Sequence, residues 1–367
     1  MKNILISGYY GSRNGGDEAM LSAMLEVLRE EDAELNFTVI SMNPDYTKKR
    51  HNVDAVKWLD IFSIIRKLIA ADLLISGGGS LLQNVTSRRS LYYYLGIIFL
   101  AKIFGCKVML YAQGIGPIRG GIAHWLMRLI VNRVDLITVR DKGSLAELNR
   151  LKINRPPIHL TADPVLAIHP VPVEIGKKIL ERHNLTDNSH NRKLKIGVAV
   201  RRWIDWDNCQ GELAAALDKL ATELDAEIIF LPMQYPEDIK ASESIAALMK
   251  NPAVVIDEEL LTAQMMSIVG CMNVLIGIRL HALIFAGVMD VPIVGISYDP
   301  KIDRFLDSID EKPVASLNDI TAQKIFDATV KKIRVDKEFD AAKQNLKYEL
   351  RMLAVENARL AVSLIDR

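Results

Sequence analysis

The sequence predicts an α/β protein of two doubly wound domains followed by a C-terminal helix, and three observations carry that expectation. Short β-branched runs alternate with amphipathic segments of helical length from the first residues to about Ile296, the pattern of a parallel sheet wrapped by helices. The turns after those runs are rich in glycine and polar residues, as expected where ligands of open parallel sheets bind. The chain has 367 residues, which at ~150 residues per domain suggests about two domains.

In the first half the spacing predicts strands at Lys2–Ser7, Phe37–Ser41, Leu73–Ser76, Lys107–Ala112, Leu136–Val139 and Ile158–Leu160. Helices at Asp17–Glu31, Trp58–Ala70, Ser90–Phe104, Ile122–Asn132 and Lys142–Arg150 separate them. Pro164, Pro170 and Pro172, one short helix and the polar run Thr186–Lys193 mark a domain junction. The alternation then restarts with strands at Lys195–Val200, Glu227–Leu231, Val254–Ile256, Val274–Ile276 and Ile293–Gly295. Between them fall helices at Gly211–Leu224, Glu237–Lys250, Thr262–Val269 and Leu280–Gly287. After Pro313 no strand signal appears, and Asp336–Ile365 reads as one long helix. The expected domains are residues 1–170, 171–335 and a terminal helix 336–367 that crosses back to the first.

Composition excludes several function classes. Lys plus Arg number 46 and Asp plus Glu 45, so no global basic field recruits nucleic acid, and an anionic ligand must be held by local charge. Cys106, Cys209 and Cys271 have neither disulfide-framework nor zinc spacing. The histidines form no H-E-x-x-H or similar set, so no catalytic metal is expected. The opening Met1–Ile6 is too short an apolar run for a signal peptide, which points to the cytoplasm. Leu91–Phe104 is interrupted by Lys102 and is shorter than the ~20 residues of a membrane span. It reads as a core helix, with an interfacial membrane contact as the second reading.

The chemistry should lie after the strands. Ser7–Ala19 holds Tyr10, Asn14, Asp17 and Glu18 in a glycine-rich loop that leads into a helix, whose free N–H groups suit an anion or a polar sugar. There is no G-x-G-x-x-G and no phosphate-binding G-x-x-x-x-G-K-[ST], which disfavours NAD and P-loop ATP chemistry. Asp17 reads equally as a helix cap or, with Glu18, as a catalytic carboxylate. Gly77-Gly78-Gly79-Ser80 calls for a backbone that approaches a ligand or adopts positive φ, with a flexible turn as the plain alternative. Gln83 and Gln113 offer amides to a hydroxyl-rich ligand.

Arg140 and Arg279 each follow a strand, one per predicted domain, and together suit a small, doubly anionic ligand in a common cleft. For Arg140 an ion pair with Asp141 or Asp163 is an equal reading. His281 reads either as a core or capping residue or as a general acid beside an anion. Lys301 adds a cation to the same edge, unless it is an ordinary surface lysine.

These residues resemble the polysaccharide pyruvyl transferase family, and its CsaB-type branch in particular. The motifs are Gly8-Tyr9-Tyr10-Gly11 with Asn14–Ala19, Ser76–Gln83, Ala112–Pro117, Val139-Arg140-Asp141, Asp163-Pro164, Arg279-Leu280-His281-Ala282 and Ser297–Lys301. The resemblance implies two Rossmann-like domains facing a cleft in a GT-B-like arrangement. It also implies phosphoenolpyruvate as co-substrate, no further cofactor, and a pyruvate ketal as product. The implied acceptor is the β-ManNAc of a lipid-linked disaccharide, 4,6-pyruvylated for a cell-wall polymer that anchors S-layer domains, made at the inner face of the membrane.

Carried onto this chain, the resemblance puts the donor at Arg140, Arg279, Leu280 and Lys301. The glycine-rich turn at Gly78, Gly79 and Ser80 is assigned to the same anion, and the acceptor to Tyr10, Asn14, Gln83 and Gln113. His281, Asp17 and Glu18 are the acid–base candidates. The family often has Ser-Met before the Arg-Leu-His triplet, whereas Gly277-Ile278 stands here. Two competing readings are a nucleotide-sugar glycosyltransferase, for which Trp203 and Trp206 are the aromatic candidates, and a non-catalytic sugar- or anion-binding protein.

Overall fold

The computed structural model describes residues 2–85, 87–185, 193–203, 206–334 and 341–366, and they form two separate parallel sheets. One domain comprises residues 1–168 with 348–367, the other residues 169–347. The polar run 186–192 lies outside the described residues.

The first domain runs β1 (Lys2–Tyr10), α1 (Gly15–Glu31), β2 (Leu35–Ser41), α2 (Pro44–His51), β3 (Asp54–Lys57), α3 (Ile61–Ala70) and β4 (Leu73–Ser76). It continues with α4 (Arg88–Ile103), β5 (Lys107–Gln113), α5 (Gly121–Val131), β6 (Leu136–Val139), α6 (Lys142–Arg150) and β7 (Ile158–Leu160). The strand order is β3-β2-β1-β4-β5-β6-β7, in which the order reverses beside β1 and opens a crevice at the carboxyl ends of β1 and β4. Ile4, Ile6, Leu73 and Ile75 face a core completed by α1, while Leu5, Leu74, Val108 and Leu110 face a second one covered by α3, α4 and α5.

The second domain runs α7 (Glu174–Arg182), β8 (Leu194–Ala199), α8 (Trp206–Leu224), β9 (Ala226–Phe230), α9 (Glu237–Ala246), β10 (Ala253–Val255) and α10 (Thr262–Gly270). It continues with β11 (Val274–Gly277), α11 (Leu280–Val288), β12 (Ile293–Ser297), α12 (Pro300–Ser308), β13 (Ala315–Ser316) and α13 (Ala322–Arg334). Its order, β10-β9-β8-β11-β12-β13, repeats the plan with one strand fewer.

The long helix α14 (Ala341–Asp366) returns its last turns to the first domain. Ala354, Ala358 and Ala361 are wholly buried against the core that α1 covers, because small side chains let the helix approach closely. The buried Asn357 accepts from the Thr138 hydroxyl at 2.6 Å and the Thr161 hydroxyl at 2.8 Å. Its amide donates to Ala162 O at 3.2 Å and Ala354 O at 2.9 Å.

Some elements depart from expectation. β3 is a four-residue edge strand with only Ala55 buried, too short and polar for an alternation signal. β13 corrects the reading that strands end by Pro313; its two residues pair with Ile296 and Ser297. The helices α2, α12 and α13 lie in stretches to which no element was assigned from the sequence.

Candidate active site

The carboxyl edge of the first sheet is made of backbone and hydroxyls. β1 bulges between Ser7 and Tyr10, and the Tyr10 ring lies so close beneath the loop that a β-carbon on Gly8 or Gly77 would collide with it. Tyr10 is buried, and its hydroxyl has no hydrogen-bond partner among the described residues. Burial, with a smaller push from Asp17, holds its pKa well above the ordinary value. This corrects the expectation that Tyr10 holds an acceptor: its ring is the floor of the glycine loop.

Gly79 has φ +97°, a left-handed conformation that glycine adopts without strain. Its carbonyl accepts from Gly114 N at 2.8 Å and from Gln113 Nε2 at 2.7 Å. Gln113 is brought there by a break in the β5–β6 register between Leu110 and Gln113, with Ala112 at φ +45°. The Gln113 side chain is fully buried, which corrects its assignment as an acceptor ligand; it fixes the triple-glycine loop instead. Ser80, next in line, is exposed.

At the start of α1 the capping residue is Asn14, whose Oδ1 accepts from Gly16 N and Asp17 N. That settles the capping reading of Asp17 against it and engages Asn14 structurally. Glu18 is fully buried: Oε1 accepts from Gly11 N at 2.9 Å, and Oε2 lies 2.7 Å from His51 Nε2. With both oxygens engaged and no exposure, Glu18 is corrected from a candidate base to a residue that ties the loop to α1 and α2. Asp17 is the part-exposed carboxylate of this turn, standing where a β-carbon on Gly79 would lie 3.6 Å from its Oδ1. Gln83 accepts from Val85 N at 2.8 Å, and its side-chain stem fills the space a β-carbon on Gly116 would need.

Arg140 follows β6, and its Nη1 donates to Asp163 Oδ2 at 2.7 Å, both side chains being more than nine-tenths buried. Its Nη2 lies 3.4 Å from the Ser80 hydroxyl. The ion-pair reading is therefore the one observed, with Asp163 rather than Asp141, whose carboxylate caps α6. A β-carbon on Gly114 would sit 3.0 Å from Arg140 Nη2, so the glycine leaves the guanidinium its lane.

In the second domain Arg279 occupies the capping position of α11, followed by Leu280, which is buried, and the half-buried His281 in the first turn. The Arg279 guanidinium is clamped by Asp238 through two hydrogen bonds, Nε to Oδ2 at 2.7 Å and Nη2 to Oδ1. Nη2 also donates to Gln234 Oε1 at 3.2 Å. Asp238 is 1% exposed, and its Oδ2 further accepts from Met233 N and Gln234 N. Sequence reasoning missed Asp238, which lies in the first turn of α9, eight residues beyond the end of β9.

Arg201 was missed as well. It follows β8, and its Nη1 donates to the Tyr298 hydroxyl at 2.8 Å, so its side chain reaches across the end of β11 to the end of β12. The guanidinium lies 4.8 Å from the Trp203 ring centroid and 5.2 Å from that of Tyr298, and the two rings are 4.8 Å apart. Its Nε is buried without a hydrogen-bond partner among the described residues. Lys301 Nζ lies 5.3 Å from the Tyr298 centroid. Among the described residues no carboxylate pairs with Arg201 or Lys301. Two cations stacked on aromatic faces form a ready site for an anion with a planar or tetrahedral oxygen array. The signal was present in Val200-Arg201-Arg202-Trp203, read only for its tryptophan. The side chain of Trp206 lies outside the described residues.

A family model, Polysaccharide pyruvyl transferase, matches residues 14–300. No curated protein sequence matches. Among solved structures, the S. aureus MnaA–UDP co-structure is 12% identical with TM-score 0.66, covering 100% of this chain and 98% of that one. The UDP-GlcNAc 2-epimerase from Methanocaldococcus jannaschii is 10% identical with TM-score 0.66, covering 99% and 100%. Anabaena Alr3699/HepE in complex with UDP-glucose is 9% identical with TM-score 0.62, covering 100% of both. At these identities the likeness is one of fold: two Rossmann-like domains.

Proposed function

The chain belongs to the polysaccharide pyruvyl transferase family, and from that premise we propose that it transfers the enolpyruvyl group of phosphoenolpyruvate to a sugar and closes it as a ketal. The carrying observation is the cationic edge of the second domain, where Arg201 and Lys301 lack a carboxylate partner among the described residues. Phosphoenolpyruvate carries a carboxylate and a phosphate, and charge-assisted hydrogen bonds from such groups stabilise both. We assign donor binding to Arg201 and Lys301 of the second domain, with Arg279 holding the Arg279–Leu280–His281 turn that carries His281. The acceptor goes to the turn holding Asn14, Asp17 and Gln83.

In the reaction His281 gives a proton to the methylene carbon, leaving C2 cationic and open to a sugar hydroxyl. Asp17 takes that hydroxyl's proton. Expulsion of phosphate restores a cationic C2, and the second hydroxyl closes the ring, its proton leaving with phosphate. The acceptor in this reading is the β-ManNAc of a lipid-linked disaccharide, pyruvylated at O4 and O6 in the cytoplasm for a cell-wall polymer that anchors S-layer proteins. No cofactor beyond phosphoenolpyruvate enters.

The test is phosphate release from phosphoenolpyruvate with and without a ManNAc-β-GlcNAc lipid-diphosphate analogue, with mass analysis of the acceptor. Acceptor-dependent release and a ketal adduct are expected. Donor binding without release would sink the acceptor assignment. Solved structures of this fold are complexes with UDP and UDP-glucose, and Trp203 beside Arg201 suits a base as well as an anion. A nucleotide-sugar glycosyltransferase is therefore the second reading, identified by UDP release in place of phosphate.

A further inference from the structure

The helices α3, α4 and α5 each bury one side in the same core, through Ile64 and Leu68, Leu91 through Ala101, and Ala123 through Val131. Each leaves the opposite side in solvent, and that side is apolar. Phe62 and Ile69 on α3, Phe99 and Ile103 on α4, and Ile122 and Trp125 on α5 are 47% to 81% exposed. Their spacings of seven, four and three residues set each pair on one stripe of its helix. The stripes are held side by side. The Tyr93 hydroxyl on α4 donates to Trp58 O just before α3, at 2.8 Å. Asn84 and Arg119 tie the approaches to α4 and α5 by two hydrogen bonds of 2.7 and 2.8 Å.

Charge says what covers this face. Residues 61–134 hold nine Lys and Arg and a single acidic residue, Asp72, whereas the rest of the chain has 37 basic against 44 acidic residues. The Asp72 carboxylate is engaged by Asn3 N at 2.7 Å. Exposed Arg89, Arg119 and Arg128 have no carboxylate partner among the described residues. A second copy seated face to face would bring the same cations against these ones, which disfavours self-association. No helix among the described residues is long and apolar enough to cross a membrane. Aromatic and aliphatic side chains that stand out among unpaired arginines match a surface that lies in the headgroup region of anionic lipid.

We propose that the α3–α4–α5 face of the first domain docks on an anionic lipid bilayer. The proposal goes beyond the transfer reaction and holds whatever the acceptor is. The experiment is co-sedimentation of the full chain with phosphatidylcholine vesicles and with vesicles containing phosphatidylglycerol, neither carrying a sugar acceptor. Binding to the anionic vesicles, weakened by added salt, is the expected result. The double variant Phe99→Ser/Trp125→Ser should lower the partition coefficient about tenfold or more by removing two inserting side chains. Arg89→Glu/Arg128→Glu should abolish the preference for anionic lipid while leaving phosphate release in solution unchanged. Absence of binding to either vesicle overturns the proposal, as does equal binding by both double variants. A concentration-dependent dimer of the native chain that the Phe99→Ser/Trp125→Ser change dissolves would assign the face to a second copy instead.

Discussion

In the first domain the arginine at the sheet's carboxyl edge, Arg140, is answered by Asp163, and the glycine loop beside it offers backbone and a serine hydroxyl. In the second domain Arg279 is answered in the same way by Asp238, but among the described residues Arg201 and Lys301 on the same edge meet aromatic rings and the Tyr298 hydroxyl rather than a carboxylate. The two sheets share a winding plan and use charge differently. Paired arginines hold loops in shape, since a buried guanidinium and carboxylate cost each other's hydration and hold one geometry. A cation stacked on aromatic faces keeps its electrostatic demand for a ligand. Anion affinity should therefore reside with Arg201 and Lys301, and loop architecture with Arg279 and Arg140.

The sharpest way to break that contrast is Asp238→Ala, which leaves Arg279 buried without its partner. We expect a loss of about 3–5 kcal/mol in the second domain, read as a fall of roughly 10 °C in its melting transition. An unchanged melting transition would show that Arg279 is not structurally committed. Next comes Arg201→Ala, expected to raise the KM for phosphoenolpyruvate by about 10–100-fold, the worth of one charged hydrogen bond, with little change in melting temperature. Should Arg140→Ala raise the KM by as much without loss of stability, the distinction between the domains fails.

The smallest effect belongs to Tyr10→Phe. Removing a buried, unpartnered hydroxyl should be neutral or stabilise by about 1 kcal/mol at neutral pH. The folded pKa of Tyr10 is raised, so its contribution is complete below the unfolded value of ~10 and lost as pH rises above it. The variant should therefore resist alkaline unfolding above pH ~10 better than the native chain. An identical alkaline limb in both proteins would remove Tyr10 from the account.

The winding plan and most strand positions were legible because buried parallel strands leave short, dense apolar runs, as in Leu73–Ser76 and Leu136–Val139. The edge strands β7 and β10 were read, but β3, with only Ala55 buried, and β13, two residues long, were not. At the site, the strand-end rule singled out Arg140, Arg279 and Lys301 as candidates. It did not reveal which arginine is neutralised, because Asp163 and Asp238 lie 23 and 41 residues away in sequence. Tyr10 and Gln113 were read as ligands from their chemistry alone. Only register breaks, in β1 and between β5 and β6, show that both are turned into the protein.

The closing turns of α14 have a consequence for biosynthesis. The first domain's core needs Ala354, Ala358 and Ala361, and Asn357 locks Thr138 to Thr161. A ribosome makes those residues only after the entire second domain, at about 5–20 residues per second. Residues 169–347 can thus complete their sheet while the first domain still waits with one face uncovered. The domain that begins first is the last to finish, its core closed only when the last turns of α14 are made.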